Sequence, residues 1–209
     1  MKSVCRALIS IGLVYAVQSV SFAEELTVTL PDGTKKTVET RPIYSSSNPA
    51  DNLTDAIAVK DMAKVKEFLA KGVNVNSGCS SGQLPIMEAL GDDKAEILDF
   101  LLAHGADVNL TATVAGMEMT PLDVAVNNGH TASVKKLLDH GAQTEKEIMF
   151  QQTVLFSAVR NGNPEIIRLL IDHGADANHK DMSGDTPLSL AEKLGKADII
   201  GILKKTKSG

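Results

Sequence analysis

The fold of this chain is decided by the stretch TPLDVAVNNGHTASVKKLLDHGA, residues 120–142, which returns as TVLFSAVRNGNPEIIRLLIDHGA at residues 153–175. Corresponding positions in the two copies lie 33 residues apart, from Thr120 at the start of the first copy to Gly141 near its end. A fixed period of this length indicates a repeat architecture, in which each copy is one supersecondary unit that stacks on its neighbours.

Partial copies of this stretch lie on both sides of the two full ones. Gly72 and Gly105 close two earlier units and are again 33 residues apart, whereas Gly105 and Gly141 are 36 apart, so three extra residues separate the second and third units. A last unit begins at residues 186–188 (TPL) and ends without a closing glycine. Lys204 replaces an apolar position there, as expected of the polar face that terminates a repeat array.

Apolar residues recur at fixed distances before each closing glycine. Residues three and four apart lie on one face of a helix, so these columns predict helices whose apolar face is covered by the adjacent unit. An alanine recurs in the first half of each later unit, where a small side chain lets helices approach closely. The apolar columns are Val65, Leu98, Val134 and Ile167, and Phe68, Leu101, Leu137 and Leu170; the alanines are Ala89, Ala125, Ala158 and Ala191.

The threonine-proline-leucine phrase and the period of 33 resemble the ankyrin repeat, whose motif is T-P-L-H-x-A. The resemblance implies an all-α fold, an ankyrin-repeat solenoid of about five helix-turn-helix repeats. The motif's histidine is replaced by Met87, Asp123, Phe156 and Ser189. The hydrogen bonds that this histidine makes between successive loops are therefore not expected in their usual form, while the fold is unaffected.

Three segments are predicted along the chain. They are a signal peptide at residues 1–23, a small N-terminal β-hairpin with a linker at 24–51, and an ankyrin-repeat domain at 52–205. The predicted repeats span about 52–80, 81–116, 117–149, 150–182 and 183–205.

The first segment has the composition of a secretory signal peptide. Lys2 and Arg6 precede an apolar run at residues 7–17, and residues 21–23 (SFA) place small side chains at both positions that determine cleavage. A membrane anchor is the alternative, but the run is too short for a bilayer core, which needs about 20 apolar residues. We expect cleavage after Ala23 and a periplasmic or secreted protein.

Charge and cysteine content limit the partners of the mature chain. Loss of Lys2 and Arg6 changes the formal charge from -5 to -7, and an acidic surface argues against nucleic acid or an anionic membrane as partner. Cys5 leaves with the leader, so Cys79 has no internal disulfide partner. We expect a monomer with no membrane insertion after cleavage.

Residues 25–40 predict a β-hairpin. Apolar residues alternate with threonines from Leu26 to Leu30, and residues 31–33 (PDG) suit a turn. A lone hairpin is marginal in water, so we expect it to dock on the open first repeat. The alternative is an arm with no fixed position.

Catalytic and metal-binding motifs are missing from the sequence. It contains no nucleophile elbow, no zinc-protease motif and no phosphate-binding loop. His104, His140 and His173 occupy the same place in successive repeats, but neighbouring helices lie about 8–10 Å apart and zinc ligands about 2 Å from their metal. We expect these histidines to bond the last carbonyls of their helices. The sequence therefore predicts no enzyme, no cofactor and no metal.

Proteins of the ankyrin-repeat family generally recognise partners with the loops between repeats and with the exposed side of the first helices. By resemblance, the loops here are residues 77–83, 110–119, 146–152 and 179–185. Four of the six methionines of the mature chain fall in them, and methionine is frequent at adaptable binding surfaces. The alternative for two other loop residues, Ile148 and Phe150, is that they pack under their loop. The predicted partner-binding residues are Met117, Met119, Ile148, Met149, Phe150 and Met182 in the loops, and Asn127, Asn128, Arg160, Asn161 and Lys193 in the first helices.

These features lead to one hypothesis and two alternatives. The hypothesis is an exported ankyrin-repeat protein that binds another protein as an adaptor or protective module. The first alternative is a stoichiometric inhibitor or immunity-like protein that blocks a toxic enzyme. The second is a secreted effector directed at host cells, which shares the same features.

Overall fold

A computed structural model of the protein describes residues 25–29, 35–39, 44–91, 94–114 and 116–206. The chain divides into two units, Met1–Ser45 and Ser46–Gly209. In the first unit, strand β1 (Glu25–Thr29) pairs antiparallel with strand β2 (Lys35–Glu39). The predicted leader and turn, at residues 1–23 and 31–33, lie outside the described residues.

The second unit is a stack of helix pairs. Its described residues contain ten α-helices in five successive pairs, as the repeat pattern predicts, and a 3-10 turn at Met149–Gln151. The pairs are α1 (Pro49–Ala58) with α2 (Met62–Ala70), α3 (Pro85–Glu88) with α4 (Ala95–Ala103), α5 (Pro121–Asn128) with α6 (Thr131–Asp139), α7 (Val154–Asn161) with α8 (Pro164–Asp172), and α9 (Pro187–Lys193) with α10 (Ala197–Thr206).

Each helix pair packs against the next pair along the chain. The first helices contact one another in the order α1, α3, α5, α7, α9, and the second helices do so from α4 through α6 and α8 to α10. The apolar face of one pair is therefore covered by its neighbours, which is how a solenoid distributes its core. Within the part of the chain that the structure describes, no helix has both the length and the apolar character needed to cross a membrane.

The predicted apolar columns form the core of the stack. Val65, Leu98, Leu101, Val134, Leu137, Ile167 and Leu170 are all 0% exposed, and so are Ala89, Ala125, Ala158 and Ala191. A fully buried leucine or isoleucine contributes roughly 1.5–3 kcal/mol. Phe68 alone in these columns is half-buried, because its repeat is the first of the unit and has a neighbouring repeat on only one side.

The turns between paired helices require a left-handed residue. Gly129 ends α5 with a φ of 73°, and Gly162 ends α7 with a φ of 79°. Lys60 fills the same place after α1 with a φ of 61°. Because a side chain is crowded in this conformation, a non-glycine residue there costs about 1–2 kcal/mol.

The first helices of the first and second repeats differ in length from those of the later repeats. Helix α1 begins at Pro49, just before the predicted start of the repeat domain at about residue 52, because the Asn48 side chain accepts a hydrogen bond from the Ala50 N–H and proline suits the first turn. Helix α3 has only four residues. Beyond its end, the buried Ser133 hydroxyl of α6 donates to the Leu90 carbonyl over 2.8 Å, so this carbonyl remains satisfied.

Candidate functional site

Four loops join the second helix of one repeat to the first helix of the next. We call them finger 1 (residues 77–83), finger 2 (110–119), finger 3 (146–152) and finger 4 (179–185). Most of finger 2 is a short antiparallel strand pair, in which β3 (Ala112–Val114) faces β4 (Met117–Met119). The other three fingers contain no strand among their described residues.

Asparagine side chains tie the bases of successive fingers together. Asn76 donates from Nδ2 to the Gly105 carbonyl (3.0 Å) and accepts at Oδ1 from the Asp107 N–H (2.8 Å). Asn109 makes the same two bonds one repeat later, to Gly141 (3.2 Å) and from Gln143 (2.9 Å). Asparagine side chains therefore join these successive loops.

The tips of fingers 3 and 4 carry exposed apolar side chains. Met149 is 52% exposed, Phe150 61% and Met182 68%, and Met117 in finger 2 is 42% exposed. Side chains of this size are seldom left in water without a function when they lie together.

Backbone hydrogen bonds join the two apolar fingers. The Met182 N–H donates to the Phe150 carbonyl over 3.0 Å. The His179 Nε2–H donates to the Gln151 carbonyl over 2.8 Å, and its ring meets the buried Phe156 ring edge-on at 6.2 Å. Finger 3 is therefore held against finger 4 at two consecutive carbonyls.

The tip of finger 3 has an unusual backbone. Phe150 and Gln151 both have positive φ angles, 61° and 54°. Two adjacent non-glycine residues in the left-handed region cost about 1–3 kcal/mol each, and such strain persists only where surrounding bonds determine it. The bonds from finger 4 meet that requirement.

A polar chain runs from the first-helix surface to finger 4. Arg160 in α7 donates from Nη1 to Gln152 Oε1 (2.8 Å), and Gln152 donates from Nε2 to Asp181 Oδ2 (2.8 Å). The hydrogen bond from Gln152 lowers the pKa of the Asp181 carboxyl, with backbone N–H donors adding to the effect. The chain therefore stabilises an ionised Asp181 beside the strained tip.

Comparison with known proteins identifies the repeats. A family model described as ankyrin repeats (3 copies) matches residues 53–148 and 143–208, which together make up most of the sequence. The chain belongs to the ankyrin-repeat family. Ankyrin repeats imply protein–protein interaction, and proteins of this family are typically non-enzymatic binding modules.

One curated relative of this ankyrin-repeat chain is a larger protein. Zygote-specific protein 3 of Chlamydomonas reinhardtii is 38% identical over 102 residues, 48% of this chain. The aligned region is 26% of the relative, so the similarity covers about a quarter of that protein's length.

Two predicted loop residues are less exposed than the sequence indicated. The prediction that Met119 lies in an exposed loop is wrong, because it pairs with Ala112 at the base of the β3–β4 pair and is 7% exposed. Ile148 is half-buried and its N–H donates to the Gln152 carbonyl (2.8 Å), which closes the base of the finger 3 tip. Phe150 does not pack under its loop.

The predicted first-helix residues of the ankyrin-repeat surface all lie exposed, but Asn161 and Lys193, like Arg160, have structural contacts. The predicted residues are Asn127, Asn128, Arg160, Asn161 and Lys193. Asn161 donates from Nδ2 to the Val126 carbonyl (2.8 Å) at the end of α5. Lys193 pairs with Asp185 of finger 4 (2.5 Å), and hydrogen bonds from Lys193 and Ser189 lower the pKa of this Asp185.

The repeated histidines cap their helices, as predicted. Nδ1–H of His104, His140 and His173 donates to the carbonyl four residues earlier, over 2.8, 2.9 and 2.8 Å. Within the described ranges, no group of three or more His, Cys, Asp or Glu side chains is placed to hold a metal ion.

Three residues of the finger 3–finger 4 contact were missed by the sequence reasoning: Gln152, His179 and Asp181. Each contact joins residues 28 or 29 positions apart. A repeat period of 33 places these residues in neighbouring loops, which was the available signal. Which side chains meet depends on the left-handed turn at Phe150, and the periodic pattern does not reveal that turn.

Proposed function

We propose that this ankyrin-repeat protein is exported and binds another protein, as an adaptor or protective module, through the tips of fingers 3 and 4. The observation that carries the proposal is the exposed group of Met149, Phe150 and Met182 on two fingers that hydrogen bonds hold together. An aromatic anchor flanked by adaptable methionines is typical of the residues that dominate binding energy at protein interfaces.

The polar surface beside these tips supports a protein partner. Asn127, Asn128, Arg160 and Lys193 are exposed on the first helices. A central apolar anchor with polar residues around it matches the usual anatomy of an interface, where the rim stays hydrated. We therefore assign the first-helix residues to the rim and the finger tips to the centre.

Export is supported by the sequence of the leader. A positively charged start, a short apolar run and the small residues at Ser21 and Ala23 are typical of a cleaved signal peptide. We propose that the mature protein begins at Glu24 and acts as a periplasmic or secreted monomer. Intact mass and N-terminal sequencing of the protein from fractionated cells test this, and an uncleaved Met1 form as the only product would contradict it.

A stoichiometric inhibitor is the second candidate. The shape of finger 3 favours it, because a projecting aromatic ring held in a fixed conformation suits insertion into the concave apolar pocket of an enzyme. A host-directed effector would use the same surface on a different partner. The chemistry of the contact is common to all three roles.

Photo-crosslinking tests the surface. A p-benzoylphenylalanine replaces Phe150 in one protein and the exposed Arg168 of α8 in the control. We expect the position-150 protein to capture one partner from periplasmic extract, and excess unlabelled wild-type protein, but not Phe150→Ala, to compete. Equal capture at both positions, or competition by Phe150→Ala, would refute the finger-tip surface.

The captured partner then separates the candidate roles. If it is an enzyme whose activity is lost on 1:1 mixing, the protein is an inhibitor. An enzyme that remains active, or a partner without activity, selects the adaptor or protective role.

A further inference from the structure

Finger 3 presents its aromatic side chain from a backbone that would not adopt this conformation by itself. This inference rests on the proposed function. We propose that Gln152 is the positioning residue of the binding surface: by joining Arg160 to Asp181, it keeps Phe150 projecting so that a partner protein can receive the ring in an apolar pocket.

The chemistry of the chain requires an amide at its centre. Arg160 has only donors, and ionised Asp181 has only acceptors. Gln152 accepts from the guanidinium with Oε1 and donates to the carboxylate with Nε2, both over 2.8 Å. A side chain that can only donate or only accept would leave one of these two charged groups without this bond.

The link acts directly on the strained tip. Gln152 follows the left-handed pair Phe150 and Gln151 in the sequence. Finger 4 bonds three consecutive residues of finger 3: Met182 to the Phe150 carbonyl, His179 to the Gln151 carbonyl, and Asp181 to the Gln152 side chain. Without the third bond, the two remaining bonds must oppose the strain of both left-handed residues.

The geometry of the tip defines the partner's side of the contact. Phe150 is 61% exposed, with Met149 on the same tip and Met182 on the neighbouring one. A protruding ring fits a concave apolar pocket, and an anchor that is already ordered loses less conformational entropy on binding than a mobile one. Positioning by Gln152 should therefore appear in affinity while the helix stack stays folded.

A charge change and its compensation test the role of Gln152. In Gln152→Glu, a carboxylate replaces the amide that donates to Asp181, and two like charges then face each other. Adding Asp181→Asn restores the pattern, because the new amide donates to the new carboxylate. Its oxygen can still accept from the N–H groups of Ser183 (2.9 Å) and Asp185 (3.0 Å), as Oδ1 of the native aspartate does. Gln143→Glu is the matched control, since this exposed glutamine lies outside the fingers and bonds to the described residues only through its backbone N–H.

Two measurements read the result. The first is amide hydrogen exchange at Met182, whose N–H donates to Phe150. The second is the affinity for the protein captured by the crosslinker at position 150. We expect Gln152→Glu to speed exchange and to weaken binding about tenfold each, since a lost hydrogen bond to a charged group has about this effect. The thermal midpoint should fall by no more than about 3–6 °C. The double variant should return both values to near those of wild type, and Gln143→Glu should change neither.

The outcomes are separable. Wild-type exchange in Gln152→Glu, or a double variant as impaired as the single one, overturns the inference. So does a partner that binds wild type and Gln152→Glu equally, although the proposed function then stands. If the crosslinker captures no partner, the proposed function fails and the role of Gln152 in binding fails with it.

Discussion

Truncating one buried leucine should destabilise the protein several times more than truncating the exposed aromatic residue of finger 3. Leu137 is 0% exposed and lies in the middle repeat. Leu137→Ala leaves a cavity that the stack fills only partly, so we expect a loss of about 2–5 kcal/mol. Phe150 is 61% exposed, so about two fifths of the residue's surface is buried. Since complete burial of phenylalanine is worth about 1.5–3 kcal/mol, Phe150→Ala should cost about 1 kcal/mol.

Thermal unfolding followed by circular dichroism measures both values. For a domain of this size each 1 kcal/mol shifts the Tm by about 2–4 °C, so we expect decreases of roughly 4–20 °C for Leu137→Ala and about 2–4 °C for Phe150→Ala. Both substitutions keep a Cβ, so the left-handed backbone at position 150 is not relieved in the variant. If Phe150→Ala lowers the Tm as much as Leu137→Ala does, then Phe150 belongs to the core and the finger-tip surface is wrong.

Four further substitutions test local features of the stack. Lys60→Gly should raise the free energy of unfolding by about 0.5–1 kcal/mol, because glycine adopts the left-handed turn without strain although it also loosens the unfolded chain; a lower Tm would contradict this. Asn109→Ala should lower the free energy of unfolding by about 1–3 kcal/mol through loss of two loop-to-loop bonds, and an unchanged urea midpoint would count against it. Hydrogen bonds from two lysines lower the pKa of Glu67 to about 2. The stability that ionised Glu67 gives to the fold is therefore complete above its ordinary pKa of 4.5 and is lost as the pH falls towards 2. Glu67→Gln should therefore flatten the acid side of the stability profile, and an unaltered profile would refute the assignment. Burial raises the pKa of Asp123, although the hydrogen bonds from Thr120 act in the opposite direction. The stability that protonated Asp123 gives to the fold is therefore lost as the pH rises through the raised pKa. In wild type the urea midpoint should therefore decrease as the pH rises through this pKa, and Asp123→Asn should remove the decrease. If the decrease persists in the variant, another group causes it.

The helix stack was predictable from the sequence because its signal is repeated. Val134 and Leu137 lie three residues apart on one helix face, and the same pair recurs one period later at Ile167 and Leu170. A single apolar pair of this kind is ambiguous. Its recurrence at fixed distances from a closing glycine requires both a helical face and a neighbour to cover it.

The finger tips were only partly predictable, because their structure depends on contacts between loops. The sequence placed Met119 and Met117 in the same loop, whereas the register of a three-residue strand pair buries Met119 and exposes Met117. The link from Gln152 to Asp181 requires the left-handed turn at Phe150. No local pattern favours that conformation for a phenylalanine, so only the assembled loops define it.

The contacts between adjacent helix pairs also determine which insertions and deletions the chain can tolerate. Gain or loss of one complete unit of 33 residues keeps every following helix in register with the period, so each remaining apolar column still faces a neighbouring helix pair. A single residue inserted inside a helix instead rotates all following positions by about 100°, which turns an apolar column towards solvent. The three extra residues before the third repeat were accommodated in finger 2, where no helix had to turn.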